Sequence, residues 1–209
     1  SCGTESTNIS LRGAAHLHRH KKGRIITTEI EHAATANTAR QLAAEGFEVV
    51  FLAPDAGGHI TPDALEAALT GDTVLLSCQL VNNEIGTVQP VAELGARLKA
   101  KAPEALFHID AVQGLARVPL TPKKWNCDLM SVSGHKIGAP KGIGALYVKK
   151  GLRLPPLMQG GGQEKGLRPG TEALPNIAAF AKACEIRMAQ FEADYAHVEQ
   201  LAAYLREKV

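Results

Sequence analysis

A single lysine stands in an unusual setting within the stretch SVSGHKIGAPKGIGALYV, residues 131–148. An apolar run leads directly into Ser133, Gly134, His135 and Lys136, and a glycine- and proline-rich turn comes behind them before a second apolar run. A solvent-exposed surface lysine would not need this setting. A lysine that must reach a fixed carbonyl carbon and bond to it would need it. Lys136 is therefore the first candidate catalytic residue.

Other ionisable or polar residues follow other apolar runs. His32 comes shortly after RIITT, Asn83 comes after TVLLSCQLV, and Asp110 ends ALFHID. In an open α/β sheet, ligands bind beyond the carboxyl ends of the parallel strands. We therefore expect these side chains to share one edge of a sheet with Lys136.

This set of side chains suits pyridoxal 5'-phosphate (PLP), whose aldehyde bonds to a lysine and whose ring nitrogen pairs with an acid. Lys136 would supply the amine and Asp110 the carboxylate. Asn83 and Gln113 would donate hydrogen bonds to the phenolic oxygen, and His32 would stack on the ring. Amides at a helix start, together with hydroxyl groups, bind phosphate. The candidates for the phosphate are Gly3, Thr4, Ser133 and His135.

The elements that must position these residues alternate along the chain. Apolar, strand-like runs cover residues 24–28, 48–53, 73–81, 105–110, 128–133 and 142–148, and helix-like runs cover 32–45, 61–69 and 91–101. This alternation predicts an α/β fold, a mainly parallel sheet with helices on both faces. The last two strands are joined by a short glycine loop, so that pair could be antiparallel. The stretch after Pro175 predicts one long helix or two joined helices.

Composition narrows the class of protein. The chain has 209 residues and is 45% hydrophobic, which fits a protein with one sizeable core. Its formal net charge is +2. We expect no nucleic-acid partner and no membrane span, because the charge is small and no apolar run is long enough. The four cysteines, at positions 2, 78, 127 and 184, are widely spaced and suggest neither zinc nor disulfides. We expect a cytoplasmic protein.

Six motifs in order carry a family resemblance. They are GTESTN, EIEHAA, VNNEIGTVQP, HIDAVQG, SGHKIGAPKGIGALYV and GGGQEKGLRPGTE. Through these motifs the chain resembles the cysteine desulfurases, which are PLP enzymes of aminotransferase class V. The resemblance extends from residue 1 to roughly residue 190. The resemblance implies the large domain of PLP-transferase fold type I. It also implies a reaction that converts L-cysteine to L-alanine and passes the sulfur to an enzyme cysteine as a persulfide.

The resemblance also assigns roles. Lys136 would be the Schiff-base lysine and the base that removes the substrate α-proton. His32 would stack on the ring and assist proton transfers, and Asp110 would pair with the ring nitrogen. Thr171 resembles the threonine that reaches the phosphate of a neighbouring subunit, which implies a homodimer. A sulfur-acceptor protein is a further possible partner.

The chain also departs from the family. Its four cysteines do not sit in the family's nucleophile motif, and the arginine that binds the substrate carboxylate has no counterpart. We expect residues 1–175 to form the PLP-binding large domain and residues 176–209 to form a helix leading towards a missing domain. The isolated chain would then turn over little L-cysteine. The alternatives are a selenocysteine lyase or another class-V enzyme, and a non-catalytic fragment that only binds or dimerises.

Simpler roles are open for several candidates. Asp110 could be a helix N-cap, and His32 could simply occupy the first turn of a helix. HLHRHKK, residues 16–22, could suggest a metal site, because His16 and His20 would share a helix face. It has no neighbouring cysteine or carboxylate, so we expect no metal.

Overall fold

One six-stranded sheet forms the centre of the computed structural model, which describes residues 1–20 and 22–209. Its strands are β1 (Arg24–Thr28), β2 (Glu48–Leu52), β3 (Thr73–Gln79), β4 (Leu106–Asp110), β5 (Leu129–Ser133) and β6 (Gly144–Val148). Their order across the sheet is β2-β1-β3-β4-β5-β6. Neighbouring strands are parallel except β5 and β6, which are antiparallel. The predicted mainly parallel sheet is confirmed, including its antiparallel last pair.

Five helices accompany the sheet in the described residues. They are α1 (Gly3–Leu17), α2 (Ala33–Ala44), α3 (Pro62–Ala68), α4 (Val91–Lys101) and α5 (Leu174–Lys208). The predicted start of α3 is correct, since the Thr61 side chain accepts a hydrogen bond from the Ala64 amide at 3.2 Å. The pattern after Pro175 forms one continuous helix. No helix among the described residues is long and apolar enough to cross a bilayer.

Helices cover both faces of the sheet, as the continuously apolar strands predicted. Because successive side chains of a strand point to opposite faces, each strand contributes to two cores. One core joins α1 and α2 to the sheet through Leu11, Ala14, Leu42, Leu75, Leu106 and Leu129. The other joins α3 and α4 to it through Leu65, Leu94, Leu98, Leu76, Phe107 and Met130. The sheet is thereby fixed between two layers of helices, and its strand ends are held in place.

Candidate active site

The carboxyl ends of β4 and β5 meet beside the start of α1. Asp110, the last residue of β4, pairs in register with Gln79 on one side and with Ser131 on the other. By strand alternation Asp110 lies on the same face as Leu106, which packs on the α1 side of the sheet. A Cβ atom on Gly3 would lie only 2.8 Å from Val112 Cγ2. This close approach of α1 to the loop after β4 explains the glycine.

Asp110 is a buried acid without a cationic partner. The residue is 6% exposed, and its Oδ1 accepts a hydrogen bond from the Val112 amide at 2.9 Å. Burial raises the pKa of its carboxyl group, and the charge of nearby His32 acts in the opposite direction. No cation in the described part of the chain forms an ion pair with it. A protonated ring nitrogen would supply the missing positive charge.

Lys136 presents a free amine at the same edge. It lies in a 3₁₀ turn, Gly134–Ile137, that follows β5 directly and ends at Gly138 with a φ of 90°. Such a left-handed backbone favours glycine, which explains this turn residue. The Lys136 side chain is half-buried and has no hydrogen-bonding or ionic partner in the part of the chain that the structure describes. Its Nζ is therefore available to bond to a ligand.

The amino end of α1 offers an anion site. Cys2 precedes the helix without a side-chain cap, so the amides of Gly3 and Thr4 have no capping acceptor. A Cβ on Gly3 would lie 3.5 Å from Ser133 Cβ, which places this helix start against the end of β5. The Ser133 hydroxyl is hydrogen-bonded to His135 Nδ1 at 2.8 Å. Amides, a hydroxyl and an imidazole thus converge where we expect the phosphate.

His32 caps α2 and leaves its other ring nitrogen free. Its Nδ1 accepts a hydrogen bond from the Ala34 amide at 3.1 Å, so the neutral ring carries its proton on Nε2. The simpler expectation of a helix-start residue is therefore right. The ring is nevertheless exposed and close enough to influence the pKa of Asp110. Both roles are open to the same side chain.

The three remaining candidates differ in how the structure places them. Gln113 is half-buried in the turn after Asp110, and Asn83 is exposed in the turn after β3. Thr171 is exposed in the segment between β6 and α5, along a groove beside α1 and β6. That groove is lined by neither Asp110 nor Lys136. The structure therefore brings Gln113 and Asn83 to the sheet edge, and it places Thr171 along a groove that also includes Cys2 at the start of α1.

Three residues that sequence reasoning did not select hold the loop that carries His32. Gln79 Nε2 and Asn82 Nδ2 both donate to the Ile30 carbonyl, at 2.5 and 3.1 Å. Glu31 Oε1 accepts from Thr28 Oγ1 at 2.8 Å and from the Gln79 amide at 2.9 Å. Gln79 is a polar residue within an apolar run, and Asn82 adjoins the selected Asn83. These two features of the sequence could have pointed to Gln79 and Asn82.

Three of the four cysteines are poor nucleophiles where the structure places them. Cys78 and Cys127 are buried, and burial raises the pKa of both thiols, that of Cys127 to about 12. Burial also raises the pKa of Cys184, which lies on α5. A thiol with a raised pKa is mostly protonated at neutral pH, and the thiolate is the reactive form.

A metal site is not formed by the residues described. They contain no group of three or more histidine, cysteine, aspartate or glutamate side chains that could hold an ion. His16 and His20 both contact the Arg19 guanidinium instead. Lys21, within the same histidine-rich stretch, lies outside the described residues.

With this geometry in hand, comparison with known proteins identifies the family. The model of the family "Aminotransferase class-V" matches residues 1–209, the whole chain. The chain belongs to the class-V aminotransferase family. Its cofactor is PLP, the cofactor of this family, and the free amine, the unpaired buried acid and the uncapped helix start all fit that molecule.

Similar class-V proteins include several cysteine desulfurases. One from Nostoc sp. is 47% identical over 192 residues, which is 92% of this chain and 47% of the relative. The cysteine desulfurase IscS of Methanosarcina thermophila is 46% identical with the same coverage. The chain thus spans about half the length of the curated relatives it matches.

Solved class-V structures share the fold closely. A NifS-like protein superposes with a TM-score of 0.96 at 40% identity, covering 99% of this chain and 57% of that one. SspA in complex with cysteine gives a TM-score of 0.85 at 40% identity, covering 88% and 53%. The fold predicted from the sequence is that of this family.

Proposed function

We propose that the chain is the cofactor-binding part of a cysteine desulfurase, which converts L-cysteine to L-alanine and passes the sulfur to an enzyme cysteine as a persulfide. One observation carries the proposal. A free lysine amine, a buried unpaired carboxylate and an uncapped helix start lie at one sheet edge. Similarity to cysteine desulfurases, and to a solved protein in complex with cysteine, favours L-cysteine as the substrate.

The way in which the structure holds each side chain supports its proposed catalytic role. When bound, PLP withdraws electrons from the substrate α-carbon through its protonated ring. Asp110 would hold that ring proton, because its buried carboxylate lacks another positive partner. Lys136 would hold the aldehyde and then accept the α-proton at Nζ. His32 would stack on the ring and move protons through Nε2, since Nδ1 is occupied by the Ala34 amide.

The remaining side chains would bind and orient. Gln113 and Asn83 would donate hydrogen bonds to the phenolic oxygen. The phosphate would be bound by Gly3, Thr4, Ser133 and His135, which converge at the start of α1. Helix-start amides suit an anion because their N–H groups and the helix dipole both attract negative charge.

We assign the sulfur-accepting cysteine to none of the four cysteines. Burial raises the pKa of the Cys78 and Cys127 thiols, and Cys184, on α5, also has a raised pKa. Cys2 lies at the start of α1, where we place the phosphate. We therefore propose that the sulfur-accepting thiolate comes from elsewhere in the parent enzyme.

We further propose that residues 1–175 form the large domain and that α5 leads towards another domain. None of the residues of α5 is buried, although Met188, Val198 and Leu201 are large apolar side chains. We propose that the protein forms a homodimer in which Thr171 contributes to the partner's site. We also propose a sulfur-acceptor protein as a second partner. We propose a cytoplasmic location. The absence of disulfides among the four cysteines supports a reducing compartment.

The experiment measures alanine and sulfide released from L-cysteine by the full-length parent protein. We expect equimolar alanine and reduced sulfur, and loss of both in the Lys136→Ala variant. Alanine released from L-selenocysteine but not from L-cysteine would identify a selenocysteine lyase instead. The 209-residue chain is tested in parallel and should release little sulfide. Strong release from it would contradict our assignment of the sulfur-accepting cysteine.

A further inference from the structure

Arg117 connects two residues of the proposed site. Its Nη1 donates to Gln113 Oε1 and to the Gln113 carbonyl oxygen, both at 3.1 Å. Its Nη2 donates to the carbonyl oxygen of Lys136, also at 3.1 Å. One guanidinium group therefore holds the turn after β4 against the turn after β5.

The contact with Gln113 fixes which end of the amide faces Arg117. A guanidinium has five N–H donors and no acceptor, so the amide oxygen must be the atom that meets it. The amide Nε2 is left without a partner in the described chain. Gln113 is thus held as a hydrogen-bond donor towards anything that lies on its other side.

The contact with Lys136 constrains the backbone rather than the amine. Nζ has no partner among the described residues, whereas the carbonyl of the same residue is held by Arg117. The neighbouring carbonyl, that of Ile137, accepts a longer hydrogen bond of 3.4 Å from Arg187 of α5. Two arginines therefore contact the 3₁₀ turn, and of these two only Arg117 also contacts Gln113.

We propose that Arg117 is a positioning residue for cofactor binding, which presents the Gln113 amide to the phenolic oxygen and fixes the Lys136 turn. This inference rests on the proposed function, because it takes the ligand of the site to be PLP. It predicts that Arg117 acts through Gln113, and that a lysine cannot replace it. A lysine keeps the charge but lacks the planar fork that reaches two acceptors at once.

The test measures the dissociation constant of PLP from the purified apoprotein by absorbance, and records the spectrum of the bound cofactor against pH. Arg117→Ala should weaken binding about tenfold, and Arg117→Lys should weaken it nearly as much, as expected for lost hydrogen bonds. Arg187→Ala is the matched control and should change affinity less than about twofold. Arg117 is exposed, so thermal unfolding of the variants should stay close to that of the wild type.

A double-mutant cycle tests whether the effect runs through Gln113. In a Gln113→Ala background, Arg117→Ala should weaken binding by no more than about threefold, because the amide it orients is gone. Equal losses in both backgrounds, or an Arg117→Ala affinity equal to wild type, would overturn the inference while leaving the proposed function intact. A wild-type protein that binds no PLP would overturn both.

Discussion

Glu31 is a carboxyl group that the fold keeps protonated near neutral pH. Its Oε1 accepts two hydrogen bonds, its Oε2 is buried, and the Thr35 side chain also interacts with the carboxyl group. Burial is the largest cause of its raised pKa, about 8, and the neighbouring Asp110 carboxylate raises it further. A neutral Glu31 adds no second negative charge beside Asp110. It also ties the His32 loop to β3.

We predict that the Glu31→Gln variant becomes more stable relative to the wild type as the pH rises from 5 to 8. In the unfolded chain the carboxyl ionises above its ordinary pKa of 4.5, whereas the folded state keeps the proton up to about 8. The folded state therefore binds more protons in this window, and wild-type stability falls as pH increases. A glutamine side chain does not ionise, so the variant does not lose stability in this way. Its advantage, measured by urea unfolding, should grow by about 2–4 kcal/mol across the window. A constant difference between the two proteins would contradict the buried, neutral state.

Single residues were predictable from the sequence only where their role is local. Lys136 and Asp110 were selected because they end apolar runs, and the structure places both at the expected sheet edge. Glu31 was missed because a glutamate next to a histidine gives no sign of burial. Its partners, Thr28 and the Gln79 amide, lie on two different strands. Arg117 was missed because an arginine in a loop is normally a solvated residue.

At the scale of elements, Asp128 joins three parts of the fold. It directly precedes β5, is 3% exposed, and accepts a hydrogen bond from the Phe107 amide of β4 at 3.0 Å. It pairs with Lys99 of α4 at 2.7 Å and with Lys149, just after β6, at 2.9 Å. These donors lower its pKa despite burial, which on its own would raise it. The charged, buried acid thus fixes where β5 begins.

We predict that Asp128→Ala lowers the free energy of unfolding by about 2–4 kcal/mol, because it leaves the buried Phe107 amide without its acceptor and removes the carboxylate partner of Lys99. Glu66→Ala is the control, since Glu66 forms an exposed pair with Arg97 and should cost less than about 1 kcal/mol. Urea denaturation at pH 7 measures both. Equal, small losses would mean that Asp128 does not organise the strand.

The elements themselves followed from the sequence more fully than their arrangement. Apolar runs located every strand to within two residues, and Thr61 marked the start of α3. The sheet order, with β1 between β2 and β3, could not be derived, because it depends on how the crossover helices pack and not on any one segment. The site depends on that order, since β3, β4 and β5 must be neighbours.

At the scale of the whole molecule, Thr171 predicts a composite dimer. It lies in the segment between β6 and α5, along a groove that Asp110 and Lys136 do not line. Nearby, Arg168 of the same segment holds Glu5 of α1 at 2.6 Å. We predict that Thr171 contributes to the phosphate site of a neighbouring subunit.

Mixing two inactive variants tests this composite site. Thr171→Ala and Lys136→Ala subunits should each lose tight PLP binding or turnover alone. In a mixed dimer, the Thr171→Ala subunit keeps its own Lys136 and receives Thr171 from its partner. Random mixing should therefore restore about a quarter of wild-type sites, since half of the dimers are mixed and each has one intact site. No restoration would mean that Thr171 serves its own subunit.

The most direct test of the central claim is the chemical identity of the amine that holds the cofactor. The protein is loaded with PLP, reduced with borohydride, digested and analysed by mass spectrometry. We predict a visible absorbance band and a reduced adduct on Lys136, with both lost in Lys136→Ala and both retained in Lys141→Ala, a control in the same loop. A band that survives in Lys136→Ala, or an adduct on another lysine, would contradict the account.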